Sequence, residues 1–334
     1  MLSVEGTTVT SGPGWLWHIL AHDPSFDGAH STPHGDGVAG RHWLLPTADS
    51  MTLHEVLEAL FMLLAVDIGN SNIVFGLYRG RTLEQTFRVS TVRTRTEDEY
   101  GVMLQQLLAL RKVPNDAIDA AIVASVVPPL TDVMTEAIRH AFAREPLVVG
   151  PGLKTGVPVL YENPRDVGAD RIVNAVAAFE RIKGAVIVVD FGTATTFDCI
   201  SPKGEYLGGV IVPGVQVSLD GLLSRAAKLT RVELAAPPHV LGRNTTHALQ
   251  SGVVYGYASL VDGMVGRLEA ELGYPCHIMA TGGLSTLIAK HSTRIQEVDM
   301  NLTLDGLCLL HERNTSAVEA AEASAAKRRA GRPR

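Results

Sequence analysis

Apolar and polar positions follow the same pattern in two separate stretches of the chain. In each stretch a run of β-branched and other apolar residues ends in Asp-x-Gly, small polar residues follow, and a second apolar run begins. The first copy spans residues 63–78 and the second spans residues 186–200. Short β-branched runs bounded by small polar residues are typical of strands. The pattern therefore predicts a strand–turn–strand unit that occurs twice.

Helical spacing of apolar residues predicts three helices further along the chain, one starting near Arg171 and two spanning residues 217–229 and 248–272. Thr245 or Thr246 is a candidate cap of the last one. Residues 210–214 and 276–279 are predicted as strands. Among the first 61 residues and just beyond, only residues 51–64 have the spacing of a helix.

The two ends of the chain differ from its middle. Residues 1–61 contain all three Trp residues and no Lys, and Gly, Pro, Ser and Thr interrupt them without a regular period. The last residues are Ala-rich and then basic, which is typical of a solvated tail. Met62 is thus a candidate start of the folded protein. We expect a poorly ordered N-terminal extension at 1–61, two domains at 62–180 and 181–315, and a disordered basic tail at 316–334.

Charge and cysteine content exclude several classes of function. The net charge of −6 and the pI near 6.1 argue against a general nucleic-acid binder, which needs a basic face. No apolar run approaches the ~20 residues that span a bilayer, so no membrane role is expected. The three cysteines are an odd number and stand far apart, which argues against a disulfide framework or a zinc site. A cytoplasmic protein is the natural interpretation.

The two Asp-x-Gly turns have the chemistry of a phosphate site. Glycine lets the backbone approach an oxyanion closely, and successive amides with hydroxyl groups cradle it. The carboxylates of Asp67 and Asp190 would repel phosphate unless they hold a cation such as Mg²⁺, directly or through water. Ordinary turns without a ligand are the competing interpretation. Neither a P-loop nor a Rossmann glycine motif is present.

Two other segments remain open between a functional and a structural role. Asp170 stands where a helix starting near Arg171 takes its N-cap, yet a carboxylate next to an arginine is also a fair general base for an alcohol. The paired glycines Gly282 and Gly283 either approach an adenine or ribose closely or form a plain strand-to-helix turn.

Taken together, these motifs resemble the type III pantothenate kinase family, which is related to acetate and sugar kinases, heat-shock chaperone ATPases and actin. The resemblance covers about residues 62–313. It implies that Asp170, in the Gly-Ala-Asp-Arg run, is the catalytic base, and that Asp190 binds K⁺ or NH₄⁺. It implies ATP contacts from the first turn and Thr193, namely Asp67, Ile68, Gly69, Asn70, Ser71, Asn72, Ile73, Val74 and Thr193. It implies pantothenate contacts from Tyr161, Gly168, Ala169, Asp170, Arg171 and Thr245.

The resemblance also carries expectations about fold and reaction. The expected fold is α/β, with two ribonuclease-H-like (actin-like ATPase) domains and ATP with Mg²⁺ in the cleft between them. The expected reaction is transfer of the γ-phosphoryl group of ATP to pantothenate, giving 4′-phosphopantothenate in the first step of coenzyme A synthesis, by a homodimer. Asp67 would lie near Mg²⁺, which it would hold through water.

Three alternatives stay open from sequence alone. A kinase for another small alcohol or sugar would share both turns, and only Tyr161 with residues 168–171 favours pantothenate. A non-catalytic ATP-binding regulator would have no need of the base Asp170. A chaperone-like ATPase would need a peptide-binding domain for which the chain has no room.

Overall fold

Two five-stranded sheets with the same strand order form the framework of the protein. The computed structural model describes residues 61–315. The order is β3-β2-β1-β4-β5 in the first sheet and β8-β7-β6-β9-β10 in the second, and in both the first three strands are antiparallel and the others parallel. The strands are β1 (Met62–Ile68), β2 (Asn72–Arg79), β3 (Thr82–Ser90), β4 (Ala120–Ser125), β5 (Leu147–Val148), β6 (Val186–Phe191), β7 (Ala194–Ile200), β8 (Tyr206–Pro213), β9 (His277–Thr281) and β10 (Glu297–Val298).

Helices follow the strands in a similar order in both halves. The helices are α1 (Glu97–Leu110), α2 (Pro128–Phe142), α3 (Ala169–Ile182), α4 (Val215–Arg225), α5 (Thr245–Leu272), α6 (Ser285–Ala289) and α7 (residues 302–315). Two 3₁₀ turns lie at Asn115–Ala117 and Pro164–Asp166. The predicted α/β fold class with a duplicated unit is confirmed.

Three apolar clusters hold the sheets and helices together. One lies on the α1 and α2 side of the first sheet, one lies on the α5 side of the second, and the third joins both sheets through α3 and α7. Successive residues of β1 alternate between clusters: Leu63 and Ala65 face α3 and α7, whereas Leu64 and Val66 face α1 and α2. Both faces of the strand are buried, which explains its unbroken apolar sequence.

Some predicted elements differ from the structure. The predicted helix at residues 51–64 is wrong at its end, because residues 62–64 belong to β1 and pair with β2 and β4; its first ten residues lie outside the described part. Sheet pairing here overrides local helical spacing. The helix predicted at 217–229 ends at Arg225, and the one predicted at 248–272 begins at Thr245.

The predicted ends of the chain, residues 1–60 and 316–334, lie outside the described residues, and the boundary between domains near residue 180 stays a prediction.

The helix α7, although late in the chain, packs against the first sheet: the hydroxyl of Tyr78 donates a 2.6 Å hydrogen bond to Asp305. Between residues 61 and 315 no helix is long and apolar enough to cross a membrane. Cys199, Cys276 and Cys308 are buried as free thiols.

Candidate active site

The tips of the two predicted hairpins meet. The hydroxyl oxygens of Ser71, after β1, and Thr193, after β6, lie 2.9 Å apart and share a hydrogen bond. These residues are 122 positions apart in the chain, and both are exposed. The two sheets therefore present their Asp-x-Gly turns to the same place.

Each tip is closed by a backbone hydrogen bond from its glycine. The amide of Gly69 donates to the carbonyl oxygen of Asn72, and the amide of Gly192 donates to that of Ala194, each at 3.0 Å. A backbone bond within the turn fixes the directions of its remaining amides. Both turns are thus fixed by a bond from the glycine of Asp-x-Gly, although the second turn is one residue shorter than the first.

The residue that follows the third strand of each half supports its tip. Thr91, after β3, donates its hydroxyl to the carbonyl oxygen of Gly69 at 2.7 Å. Gly214, after β8, donates its amide to the carbonyl oxygen of Thr193 at 3.1 Å. Each tip is therefore anchored to the edge strand of its own sheet.

Asp67, Asp170 and Asp190 form a cluster of half-buried carboxylates at this place. Burial, followed by the charges of Asp170 and Asp190, raises the pKa of Asp67 to about 8 against the opposing effect of Arg88. Burial, followed by the charges of Asp170 and Asp198, raises the pKa of Asp190 to about 7. Three carboxylates this close do not all ionise readily unless a cation joins them.

Asp170 lies in the first turn of α3 and does not cap it, so the predicted N-cap role is wrong. The cap position belongs to Gly168, and Asp170 is the second residue of the helix. Its Oδ1 accepts a 2.8 Å hydrogen bond from the amide of Arg171. A Cβ on Gly168 would lie 2.5 Å from that same oxygen, so glycine leaves the carboxylate its space. Burial raises the pKa of Asp170 against the opposing effect of Arg171, which suits a base that works near neutral pH.

Asp190 is held from α3 and α7. The side-chain amide of Asn174 donates to Asp190 at 3.4 Å, and Thr303 donates to the amide oxygen of Asn174 at 2.8 Å. Gly282 lies against the other side of Asp190, with φ at +89° and room for no Cβ, which would be 2.5 Å from Oδ1. The Gly282 position thus requires glycine for a close approach, here to the carboxylate.

A buried ion pair lies beneath the start of α3. Arg171 donates its Nε to Asp198 at 2.6 Å, and Asp198 also accepts from Tyr206 at 2.8 Å and from Thr196 at 3.2 Å. Arg171 and Asp198 are buried, with Asp198 fully so. Burial raises the pKa of Asp198 to about 6 against its three donors. This network fixes Arg171, and through the backbone the neighbouring Asp170.

The other predicted pantothenate contacts differ in their surroundings. Tyr161 is partly exposed and its ring centroid lies 6.4 Å from that of Tyr206, so it borders the Arg171 network. Ala169 is the first residue of α3. Thr245 is exposed at the start of α5, where Asn244 is the cap, so the predicted capping by Thr245 or Thr246 is wrong. No hydrogen bond joins Thr245 to Tyr161, Asp170 or Arg171.

The predicted ATP contacts also differ among themselves. Ile68 and Ile73 are buried in the cluster with α1 and α2, so they offer the site only their backbone. Val74 is half-buried on the opposite face of β2. Asn70 is exposed at the tip and accepts a 2.9 Å hydrogen bond from Arg93.

The carboxylates suit hard cations with oxygen ligands. Asp67 accepts no hydrogen bond from any residue between 61 and 315, so both of its oxygens are available to a cation or its waters. Mg²⁺ uses one or two carboxylates and keeps several waters, which fits a single Asp67 at the tip. Asp190 has one weak donor in Asn174, and its Oδ1 is oriented toward Gly282.

Comparison with known proteins gives the family. A family model described as type III pantothenate kinase matches residues 63–267. The chain belongs to the type III pantothenate kinase family. Members from Anaeromyxobacter sp. (strain Fw109-5) and Myxococcus xanthus (strain DK1622) are 56% and 53% identical over 253 residues, which is 76% of this chain and 100% and 99% of theirs.

Solved structures resemble the chain less closely. A protein described as a conserved putative Baf family transcriptional activator from Campylobacter jejuni has a TM-score of 0.48 at 22% identity, covering 76% of this chain and 99% of that one. An inorganic polyphosphate/ATP-glucomannokinase from Arthrobacter sp. strain KM has a TM-score of 0.42 at 13% identity, covering 76% and 99%. The family assignment rests on the sequence relatives.

Sequence reasoning missed the residues that support this site. Asn174 and Asp198 contact predicted site residues and Thr303 contacts Asn174, yet none of the three was assigned a role from sequence. Asp198 carried a usable signal, because a lone carboxylate in an apolar strand requires a buried partner. Thr303 carried none, because only the fold brings α7 to α3.

Proposed function

We propose that this site transfers the γ-phosphoryl group of ATP to the primary hydroxyl of pantothenate, with Asp170 as the base. Membership of the family makes the chain a kinase, and pantothenate phosphorylation, the first step of coenzyme A synthesis, is its reaction. The observation that carries the placement of the reaction is the 2.9 Å contact between Ser71 and Thr193. It brings two amide-lined turns and three carboxylates to one place.

The side chains divide the work of the reaction. The turn amides of both tips, with the hydroxyls of Ser71 and Thr193, bind the phosphates of ATP. Asp170 accepts the proton of the attacking hydroxyl, and burial, which raises its pKa, makes it a stronger base than an exposed carboxylate. Arg171, fixed by Asp198, and Tyr161 border the acceptor and orient it. Phosphoryl transfer needs such positioning more than covalent chemistry.

Two cations complete the site in this proposal. Asp67 would hold Mg²⁺ through water, and an ion held there would supply positive charge to offset that of the phosphates. Asp190 holds a monovalent cation, K⁺ or NH₄⁺. Both assignments are supported by the pKa values of Asp67 and Asp190, which are raised first by burial and then by the neighbouring carboxylates.

A homodimer in the cytoplasm is part of the same proposal. Exposed apolar side chains on β8, on α4 and in the loop before α3 support an association surface in the second half. Ile211 is 64% exposed, and Leu160, Val217 and Leu222 are each about half exposed. Sedimentation of the purified protein tests the dimer. The three buried free thiols suit a reducing compartment.

The decisive experiment is a coupled assay with ATP, Mg²⁺, K⁺ and pantothenate, run beside a panel of sugars and small alcohols. We expect turnover with pantothenate that exceeds turnover with any sugar. Turnover with a sugar alone would identify a kinase of another acceptor. ATP binding without turnover on any acceptor would identify a regulator.

A further inference from the structure

Arg88, on β3, lies near Asp67 but has no role in the reaction proposed above. The ladder pairs Asp67 with Val74 and Val74 with Arg88, so these three side chains form one row across β1, β2 and β3. Leu63 and Ala65, which share the face of Asp67 by alternation along β1, point toward the cluster with α3 and α7. Arg88 therefore extends from the same face of the sheet as Asp67.

Arg88 also reaches the second sheet. Its Nη1 lies 3.7 Å from the position that a Cβ on Gly283 would occupy, in the turn between β9 and α6. Gly282, the preceding residue, lies against Asp190. The guanidinium thus lies between the tip of the first half and the paired glycines of the second half.

The guanidinium of Arg88 interacts electrostatically with Asp67 and opposes the rise in the pKa of that carboxyl group. Between residues 61 and 315 no carboxylate or carbonyl oxygen forms a hydrogen bond or ion pair with Arg88, and the residue is exposed. Other arginines of the first half are paired: Arg93 with Asn70, Arg79 with Glu84 and Arg81 with Glu312. An arginine that acts on Asp67 through its charge but forms no hydrogen bond with residues 61–315 retains its five donors for a ligand.

We infer that Arg88 binds phosphate oxygens of the nucleotide, with the turn of Gly282 and Gly283 closing the other side of the same ligand. This inference rests on the proposed function. The planar guanidinium matches two phosphate oxygens at once, as a lysine does not. It also supplies positive charge where Asp67, Asp170 and Asp190 would otherwise repel a polyphosphate.

Calorimetric titration of the full chain with ADP and with adenosine tests the inference. Arg88→Gln should weaken ADP binding about 10- to 100-fold, the effect typical of a lost hydrogen bond to a charged group, and leave adenosine binding unchanged. Arg88→Lys should give an intermediate loss, because it keeps the charge and loses the fork. Arg267→Gln, on the exposed surface of α5, is the charge-matched control and should bind ADP as the unmodified chain does.

Two results would overturn the inference. Equal ADP affinity in Arg88→Gln and the unmodified chain would exclude a phosphate contact. A drop in turnover that recovers at higher pH, with ADP affinity unchanged, would show that Arg88 acts only by favouring ionised Asp67. Failure of the unmodified chain to bind ADP at all would instead refute the proposed function, so the two failures are distinguishable.

Discussion

The two halves of the molecule differ most clearly along one row of side chains. Asp67, Val74 and Arg88 cross the first sheet, and Asp190, Thr196 and Ile211 occupy the same positions in the second. The two aspartates match, but the positively charged Arg88 on β3 corresponds to the exposed Ile211 on β8.

The support of the two aspartates differs as well. Asp190 accepts a hydrogen bond from Asn174, whereas Asp67 receives none from residues 61–315. The duplicated fold thus provides two carboxylates in one place. The residues around Asp67 differ from those around Asp190, and this difference favours separate tasks for the two. We expect the first half to bind metal and phosphate, and the second to hold a fixed cation and offer an apolar surface.

The largest effect should come from Asp170, which lies in the first turn of α3. Asp170→Asn should lower turnover about 10²–10⁴-fold, because the attacking hydroxyl loses its base. ATP affinity should stay nearly unchanged. Steady-state kinetics with calorimetric ATP titration measures both. Asp132→Asn, on the exposed surface of α2, is the matched control, and near-normal turnover in Asp170→Asn would remove it as base.

The next effect compares the two aspartates directly. Asp190→Ala should abolish the response of the rate to K⁺ or weaken ATP binding, whereas Asp67→Asn should raise the Mg²⁺ concentration needed for half-maximal rate about 10-fold or more. Rate measurements across K⁺ and Mg²⁺ series separate them. An unchanged K⁺ response in Asp190→Ala would contradict the cation assignment, and an exchanged pattern would reverse the two tasks.

A smaller effect concerns the free energy of unfolding when no metal ion is bound. The raised pKa values mean that the folded protein binds more protons than the unfolded chain between about pH 4 and pH 8. The free energy of unfolding should therefore fall as pH rises through that range. Asp67→Asn should raise Tm at pH 8 by a few degrees, about 2–4 °C per kcal/mol recovered.

Thermal unfolding at pH 5 and at pH 8, in the presence of a metal chelator, checks this pH dependence. Asp132→Asn should not change the pH dependence, and added Mg²⁺ should stabilise the unmodified chain more at pH 8. A Tm that rises with pH in every variant would show that the carboxylates are not crowded.

The smallest effect concerns the N-terminal segment. A protein that starts at Met62 should fold and turn over like the full chain, because the relatives align over 76% of the chain and β1 begins at Met62. Thermal unfolding and the coupled assay measure it. Loss of folding would show that residues 1–61 contribute to stability.

Sequence was most informative where local pattern and chemistry coincide. The repeated Asp-x-Gly turns predicted two hairpins, and their meeting at Ser71 and Thr193 follows from that duplication. The role of Asp170 stayed open between cap and base, because one-residue differences in helix start decide it and sequence patterns do not resolve them. Arg88 carried no signal in the sequence, since a polar residue on a strand is usually just solvated. Only the strand register shows that Arg88 shares a row with Asp67.

The position of α7 has a consequence for synthesis of the chain. Leu302, Leu307 and Leu310 of α7 complete the cluster that contains Leu63 and Ala65 of β1. The strand β1 therefore waits for the much later α7 before its inner face is fully covered. Until then part of that face is an exposed apolar surface, and folding of the first sheet is coupled to synthesis of α7.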